Sequence, residues 1–230
     1  IDRAAMLGYP AVALIDRDGV SGAPRFHKAA LAAGIRPLIG AELTIDACRE
    51  PGSGNRDPHK RSSGSRIPDP GSRFSLPVLV SSQEGWRNLC RLISRMKLRA
   101  PKGEGALTID ELDGRITGLI AMPGRALLGA ERFGVGGLLD RLVGIFGRDH
   151  VFVELQRHLQ RDQEDDNDAL VCLAEAFRVP LVATGGVGFA TPEERPLFDV
   201  LTSIREHIPL ARAGRRLAAN AERYFKPPAQ

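Results

Sequence analysis

The sequence has 230 residues, 43% hydrophobic and 26% charged, with 32 Lys and Arg against 28 Asp and Glu for a net charge of +4. That is the composition of an ordinary globular chain long enough for one α/β barrel or two small domains, and its mildly basic balance selects no particular partner. Cys48, Cys90 and Cys172 are odd in number, widely spaced and in no CxxC pairing, which points to neither a disulfide framework nor a cysteine metal site and predicts a reducing, cytoplasmic setting; no apolar run is long enough to cross a membrane and no signal peptide opens the chain.

In chain order, residues 2–7 read as the end of a helix closed by Gly8, and residues 11–15 (AVALI) as a first strand followed by the turn Asp16, Arg17, Asp18, Gly19. Residues 23–33 have helical periodicity, with Phe26, Ala29, Ala30 and Ala33 on one face and Gly34 placed as the C-terminal cap. Residues 36–45 (RPLIGAELTI) form a second strand carrying Glu42, which makes a β-α-β unit with parallel strands. Residues 46–73 then change character: Pro, Gly, Ser, Arg and Asp dominate, and the stretch is expected to be a mobile loop or insertion. Its lone His59 is a candidate ligand, against the plainer reading of a histidine without a role in a solvated segment.

Residues 76–80 are a further strand, and Ser82 caps a helix to residue 98 with Trp86, Leu89, Ile93 and Met96 as its apolar stripe. Residues 99–106 are a basic, glycine-containing link without phosphate-loop spacing. Thr108 and Glu111 have capping-box spacing, residues 118–122 form a strand, and helical stretches follow around residues 125–132 and 135–146. Residues 150–155 (HVFVEL) alternate as a strand, leaving Gln156, Arg157 and His158 at its end.

An acidic-capped helix over residues 165–178 leads to the stretch 179–194, VPLVATGGVGFATPEE. There a short apolar run, read as a fully buried parallel strand, stops at a glycine-rich turn. Thr191, Pro192 and Glu194 then start the next helix, to residue 207. The tail, residues 208–230, is basic and partly helical; Arg212, Arg215, Arg216, Arg223 and Lys226 are its candidates for contact with nucleic-acid phosphates, against the plainer reading of a solvated face. Alternation of strands and helices predicts a parallel barrel or doubly wound sheet.

In a parallel barrel Asp16, Glu42 and His158 fall on one C-terminal rim, where carboxylate and imidazole donors suit Mn, Zn or Fe. The plainer reading is that Asp16 caps a turn, Glu42 pairs with an arginine and His158 sits in a hydrogen-bonded rim. No serine or cysteine has the surroundings of a catalytic nucleophile.

The motifs LGYPAVALIDRDGVSG, FHKAA, GIRPLIGAEL, EGWRNLCRLIS, VELQRH, VATGGVGFATPEERPLFDVLTSIR and RRLAANAERYF, in this order over nearly the whole chain, resemble the PHP domain of bacterial C-family DNA polymerases. MKLRAPKGEGAL and the long Arg/Gly/Pro-rich loop look most like the error-prone, translesion branch, homologous to the polymerase III alpha subunit. The resemblance implies a distorted seven-stranded β/α barrel (TIM-like) over residues 1–230, with a rim that holds up to three metal ions. It also implies that a first strand bearing a His-x-His pair precedes Ile1, so the chain is expected to be N-terminally truncated, with an open barrel edge prone to association. The polymerase carboxylates are expected beyond Gln230.

Carried over residue by residue, the resemblance keeps three ligands as vestigial candidates: Asp16, Glu42 and His158. Four ligand positions are lost, to Arg17, Ser75, Gly186 and Gly188. With so few donors and an added cation at Arg17, the domain is expected to hold no catalytic metal cluster and to have no cofactor of its own. It is expected to act as a scaffold with the remainder of the polymerase chain as its partner, DNA reached through the parent protein, other translesion proteins as further contacts, and no membrane. The alternatives are an active Mn- or Zn-dependent phosphoesterase, cutting as a 3′-5′ exonuclease or a pyrophosphatase, and a DNA-binding module built on the basic tail.

Overall fold

The computed structural model describes residues 1–46, 73–101, 105–129, 134 and 136–227. Helix α1 (Asp2–Met6) precedes strand β1 (Ala11–Arg17), and α2 (Ala23–Ala32) connects it to β2 (Arg36–Asp46). The two strands pair in parallel, from Ala11 opposite Arg36 to Arg17 opposite Glu42, as the β-α-β pattern predicts. Side chains alternate along β2: Ala41, Leu43 and Ile45 are fully buried in the main core, while Glu42 and Thr44 face the other way. On α2 only Ala23 and Ala30 are buried, and the expected face partner Ala29 is exposed.

Strand β3 (Arg73–Val80) departs from the all-parallel expectation. It runs antiparallel to β2, with Gly40 opposite Leu79 and Asp46 opposite Arg73. A parallel pair needs a crossover, usually a helix, and the sequence between these strands offers no helical pattern. The expected loop over 46–73 therefore loses its end residues to strands; Asp46 and Arg73 form an ion pair at 3.8 Å. Residues 47–72, with Cys48 and His59, lie outside the described residues.

Helix α3 (Gln83–Leu98) starts at Ser82, whose Oγ accepts the Gly85 N–H at 3.1 Å. It buries Leu89, Leu92 and Met96 against Leu43, Ile45, Leu76 and Val78. Leu92 belongs to this face, whereas Trp86 is only half-buried, so the apolar stripe is rotated from the expected one. Strand β4 (Leu107–Thr108) adds to β2, and the capping box forms at the 3₁₀ turn Ile109–Leu112. Strand β5 (Leu119–Ala121) pairs antiparallel with β3. The helix expected near residues 125–132 is a 3₁₀ turn at Arg125–Leu127, with residues 130–133 outside the described set.

The chain continues through α4 (Gly137–Phe146), β6 (Val153–Gln156), α5 (Arg161–Phe177), β7 (Leu181–Thr184), α6 (Arg195–Arg205) and α7 (Leu210–Ala213). Strands β6 and β7 are parallel, and a bridge from Ala121 to Val151 attaches them to the first sheet. The strand path is thus β1-β2-β3-β5-β6-β7, with β1 and β7 at its ends among the described residues. Strand β7 is correspondingly not the fully buried strand its apolar run predicts: Leu181 is 43% exposed. Thr191 leads into a 3₁₀ turn, Pro192–Glu194, before α6 begins. Leu197, Val200, Leu201 and Ile204 form an exposed stripe along α6. No helix among the described residues is long and apolar enough to cross a membrane.

Candidate functional site

The ends of β1, β2, β3 and β6 and the loop after β7 carry the positions singled out in the sequence. In the parallel β1–β2 register Arg17 stands opposite Glu42, and Asp16 opposite Ala41. Neighbouring residues on a strand point to opposite faces, so Asp16 and Glu42 belong to different sides of the sheet. Asp16 Oδ2 accepts the Gly22 N–H at 3.3 Å, at the start of α2. Arg17 is exposed, so the desolvation on which its expected repulsion depended is missing and its charge is screened by water.

Glu42 accepts the Ser75 hydroxyl at 2.5 Å. The residue that stands where the resemblance implies a histidine thus serves as a donor to the retained carboxylate. Next to it, Asp18 takes a left-handed conformation at φ 50° and accepts both the backbone N–H of Thr44 at 2.7 Å and its hydroxyl at 2.8 Å.

His158 is buried, and both of its ring nitrogens are engaged. Gln163 Oε1 accepts the His158 backbone N–H at 2.6 Å, which turns the Gln163 amide nitrogen toward His158 Nδ1 at 3.1 Å. Nδ1 therefore accepts, and Nε2 carries the proton and donates to the Gly185 carbonyl at 2.9 Å. Neither nitrogen keeps a free lone pair for a metal ion.

The two positions at which the resemblance implies ligands in the last motif, Gly186 and Gly188, are closed in by neighbouring side chains. A Cβ on Gly186, which has φ +50°, would lie 2.6 Å from Gln156 Oε1; one on Gly188 would lie 3.0 Å from the Phe198 ring. Phe198 meets Phe189 edge to face, with ring centroids 5.6 Å apart.

Arg223, expected as a phosphate contact, enters this same place. Its Nε donates to the Gly186 carbonyl at 2.7 Å, and its guanidinium lies 5.6 Å from the Phe198 ring centroid. Burial pushes its pKa below the usual arginine value; the carboxylate of Glu42 opposes that shift, and the charge of Arg205 adds to it. Lys226 is likewise held, by Glu222 at 2.9 Å. Arg212, Arg215 and Arg216 are exposed, so the five tail cations divide into two groups.

A polar cluster that sequence reasoning missed completes the rim. Thr184 Oγ1 donates to Glu154 Oε1 at 2.6 Å, and Gln156 Nε2 reaches the same oxygen at 3.1 Å. The signal was present in the alternation of β6, where Glu154 and Gln156 share one face, opposite the buried Val153. Multinuclear centres need several carboxylate and imidazole donors converging on a common point. No group of three His, Cys, Asp or Glu residues does so among the described residues. The donors present, one on the far side of the sheet and one with both nitrogens engaged, do not fit such a centre.

The PHP domain sequence pattern matches residues 1–158. Error-prone DNA polymerases of Pseudomonas fluorescens and Ralstonia nicotianae are 30% and 32% identical over 98% of this chain, which covers 19% and 20% of their lengths. The DNA polymerase III subunit alpha of Pseudomonas aeruginosa is 31% identical over 98% of the chain and 18% of its own length. The chain thus spans about a fifth of the curated relatives it matches. A solved structure from Bifidobacterium adolescentis, assigned as a metal-dependent phosphoesterase, superposes with a TM-score of 0.51 at 12% identity over 80% of this chain and 79% of that one, a likeness of fold. With mixed α/β architecture, the family pattern over more than half its residues and these relatives along its length, the chain belongs to the PHP domain family.

Proposed function

We propose that this chain is the PHP domain of an error-prone DNA polymerase, a distorted β/α barrel whose rim has given up metal chemistry and whose role is to scaffold the polymerase. The observation that carries this reading is His158: the one retained imidazole spends both ring nitrogens on Gln163 and Gly185. The alignment with much longer polymerases supports a place inside a larger chain. The strand path, whose two ends come under the same tail segment, supports the barrel. On this reading the partners are the remainder of the polymerase, DNA through that parent, and other translesion proteins, in the cytoplasm.

The test is cleavage. The chain, incubated with Mn or Zn, is given a 3′-labelled oligonucleotide and inorganic pyrophosphate. The expected result is no hydrolysis above that of the Glu42→Gln variant; metal-dependent cleavage abolished by Glu42→Gln would establish an active phosphoesterase instead.

A further inference from the structure

Among the described residues β1 and β7 lie at the two ends of the strand path, and one short segment touches the surroundings of both. On the β7 side, the Arg223 carbonyl accepts the Gly188 N–H at 2.8 Å, Arg223 Nε donates to Gly186, and Tyr224 bridges to Phe189. On the β1 side, Phe225 packs with Tyr9 and Val12 on the small cluster of Ala4, Ala30 and Ile35, set apart from the main core. The rings of Tyr9 and Phe225 meet edge to face at 5.6 Å, and the Tyr9 hydroxyl donates to the Lys226 carbonyl at 2.6 Å. Four consecutive residues therefore connect the loop after β7 to the helices and strand of the opposite end, separated by more than 150 positions in sequence.

Arg223 is the hinge of this arrangement. It is half-buried and bonded to a carbonyl at a lost-ligand position, within electrostatic range of the retained Glu42. A cation bound at a barrel rim balances acidic groups and cross-links the loops that supply them.

We infer that residues 223–226 form a strap that ties the loop after β7 to the cluster around α1 and β1, and that the guanidinium of Arg223 is the resident cation of the rim, balancing Glu42 and tying the Gly186 loop where the resemblance implies metal. The cation part of this inference rests on the metal-poor reading above; the strap does not. A half-buried guanidinium bonded to a backbone carbonyl is a permanent cross-link, insensitive to chelators and present as soon as the chain folds. The small aromatic cluster around Phe225 gives the strap an apolar anchor at its other end.

The experiment is amide hydrogen exchange on the chain and three variants, Arg223→Gln, Phe225→Leu and Glu42→Gln, each with and without EDTA. Arg223→Gln is expected to accelerate exchange at Gly188 by roughly tenfold or more, as loss of a charge-assisted bond predicts, while β2 and β3 amides keep their protection. Phe225→Leu, a milder change, is expected to loosen the same Gly188 amide from the far end of the strap. Glu42→Gln combined with Arg223→Gln should cost less than the sum of the two.

Unchanged Gly188 exchange in both strap variants would overturn the strap. Strict additivity of the Glu42 and Arg223 changes would overturn the resident-cation assignment. A parent chain that loses rim protection in EDTA would refute the metal-poor reading and the cation assignment with it, while leaving the strap to be judged by its own variants.

Discussion

Installing the ligands that the resemblance implies at Gly186 and Gly188 is the most searching perturbation of the rim. In the double variant Gly186→Asp, Gly188→His, the Asp must adopt φ +50° with its Cβ 2.6 Å from Gln156 Oε1 and 2.9 Å from its Cδ. A left-handed conformation costs a non-glycine residue about 1–2 kcal/mol, at the lower end for Asp, and Gln156 must also swing away and give up its contact with Glu154. At Gly188 the new Cβ would lie 3.0 and 3.2 Å from two carbons of the Phe198 ring. That ring is held by contacts with Phe189 and Arg223, and overpacking of this kind costs about 1–3 kcal/mol. Together the two changes should cost about 2–5 kcal/mol, a large share of the roughly 5–15 kcal/mol that stabilises a typical fold. For a chain of this size each kcal/mol lowers the melting temperature by about 2–4 °C, so calorimetry should show a fall of roughly 4–20 °C. Added Mn should not reverse it, because His158 stays engaged and Asp16 lies across the sheet. A variant that melts with the parent chain, or that regains its stability in stoichiometric Mn, would show that the rim is still a metal site missing two ligands, and the reasoning would fail.

Two further expectations concern other parts of the chain. Glu111 receives the Thr108 N–H at 2.8 Å and lies beside Arg95 and Arg99; burial works to raise its pKa, but the Arg99 and Thr108 hydrogen bonds and the charges of Arg99 and Arg95 outweigh it and hold the carboxyl below its usual value. A depressed folded-state pKa gives stability that is fully present above the unfolded value of about 4.3 and lost as pH falls through the folded value. Glu111→Gln should therefore flatten the acid limb of the stability curve below about pH 4.3, and an unchanged limb in acid titration followed by circular dichroism would contradict this. Leu197, Leu201 and Ile204 are 60%, 56% and 64% exposed on α6, so the isolated chain should self-associate; Leu197→Glu with Leu201→Glu should shift its sedimentation toward monomer, and no shift would rule out this face.

Much of the first half was legible because its signals are local. The β1-α2-β2 unit, the Ser82 cap and the Thr108–Glu111 capping box depend on periodicity and on residues three positions apart. Strand direction was not read: β3 runs antiparallel to β2, and the sequence between them carries no helical pattern of the kind a parallel crossover uses. The apolar run of β7 was read as buried because a run cannot report which strand lies at the end of a sheet. At the rim, the resemblance marked Gly186 and Gly188 as lost ligands, but a single sequence says what is missing rather than what replaces it. Arg223 was legible only as a basic tail residue, since its role follows from contacts across the whole length of the chain. His158 was legible as a rim residue, whereas the engagement of its two ring nitrogens depends on Gln163, five residues on, and on the Gly185 carbonyl after β7, and no local pattern encodes either orientation.

The central claim is most directly tested by the metal content of the chain. Purified from cells grown with supplementary Mn and Zn, dialysed without chelator and measured by inductively coupled plasma mass spectrometry, the chain should carry far less than one equivalent of either metal, and Glu42→Gln should carry no less. One or more equivalents per chain, lost on Glu42→Gln, would contradict the account and return the rim to metal chemistry.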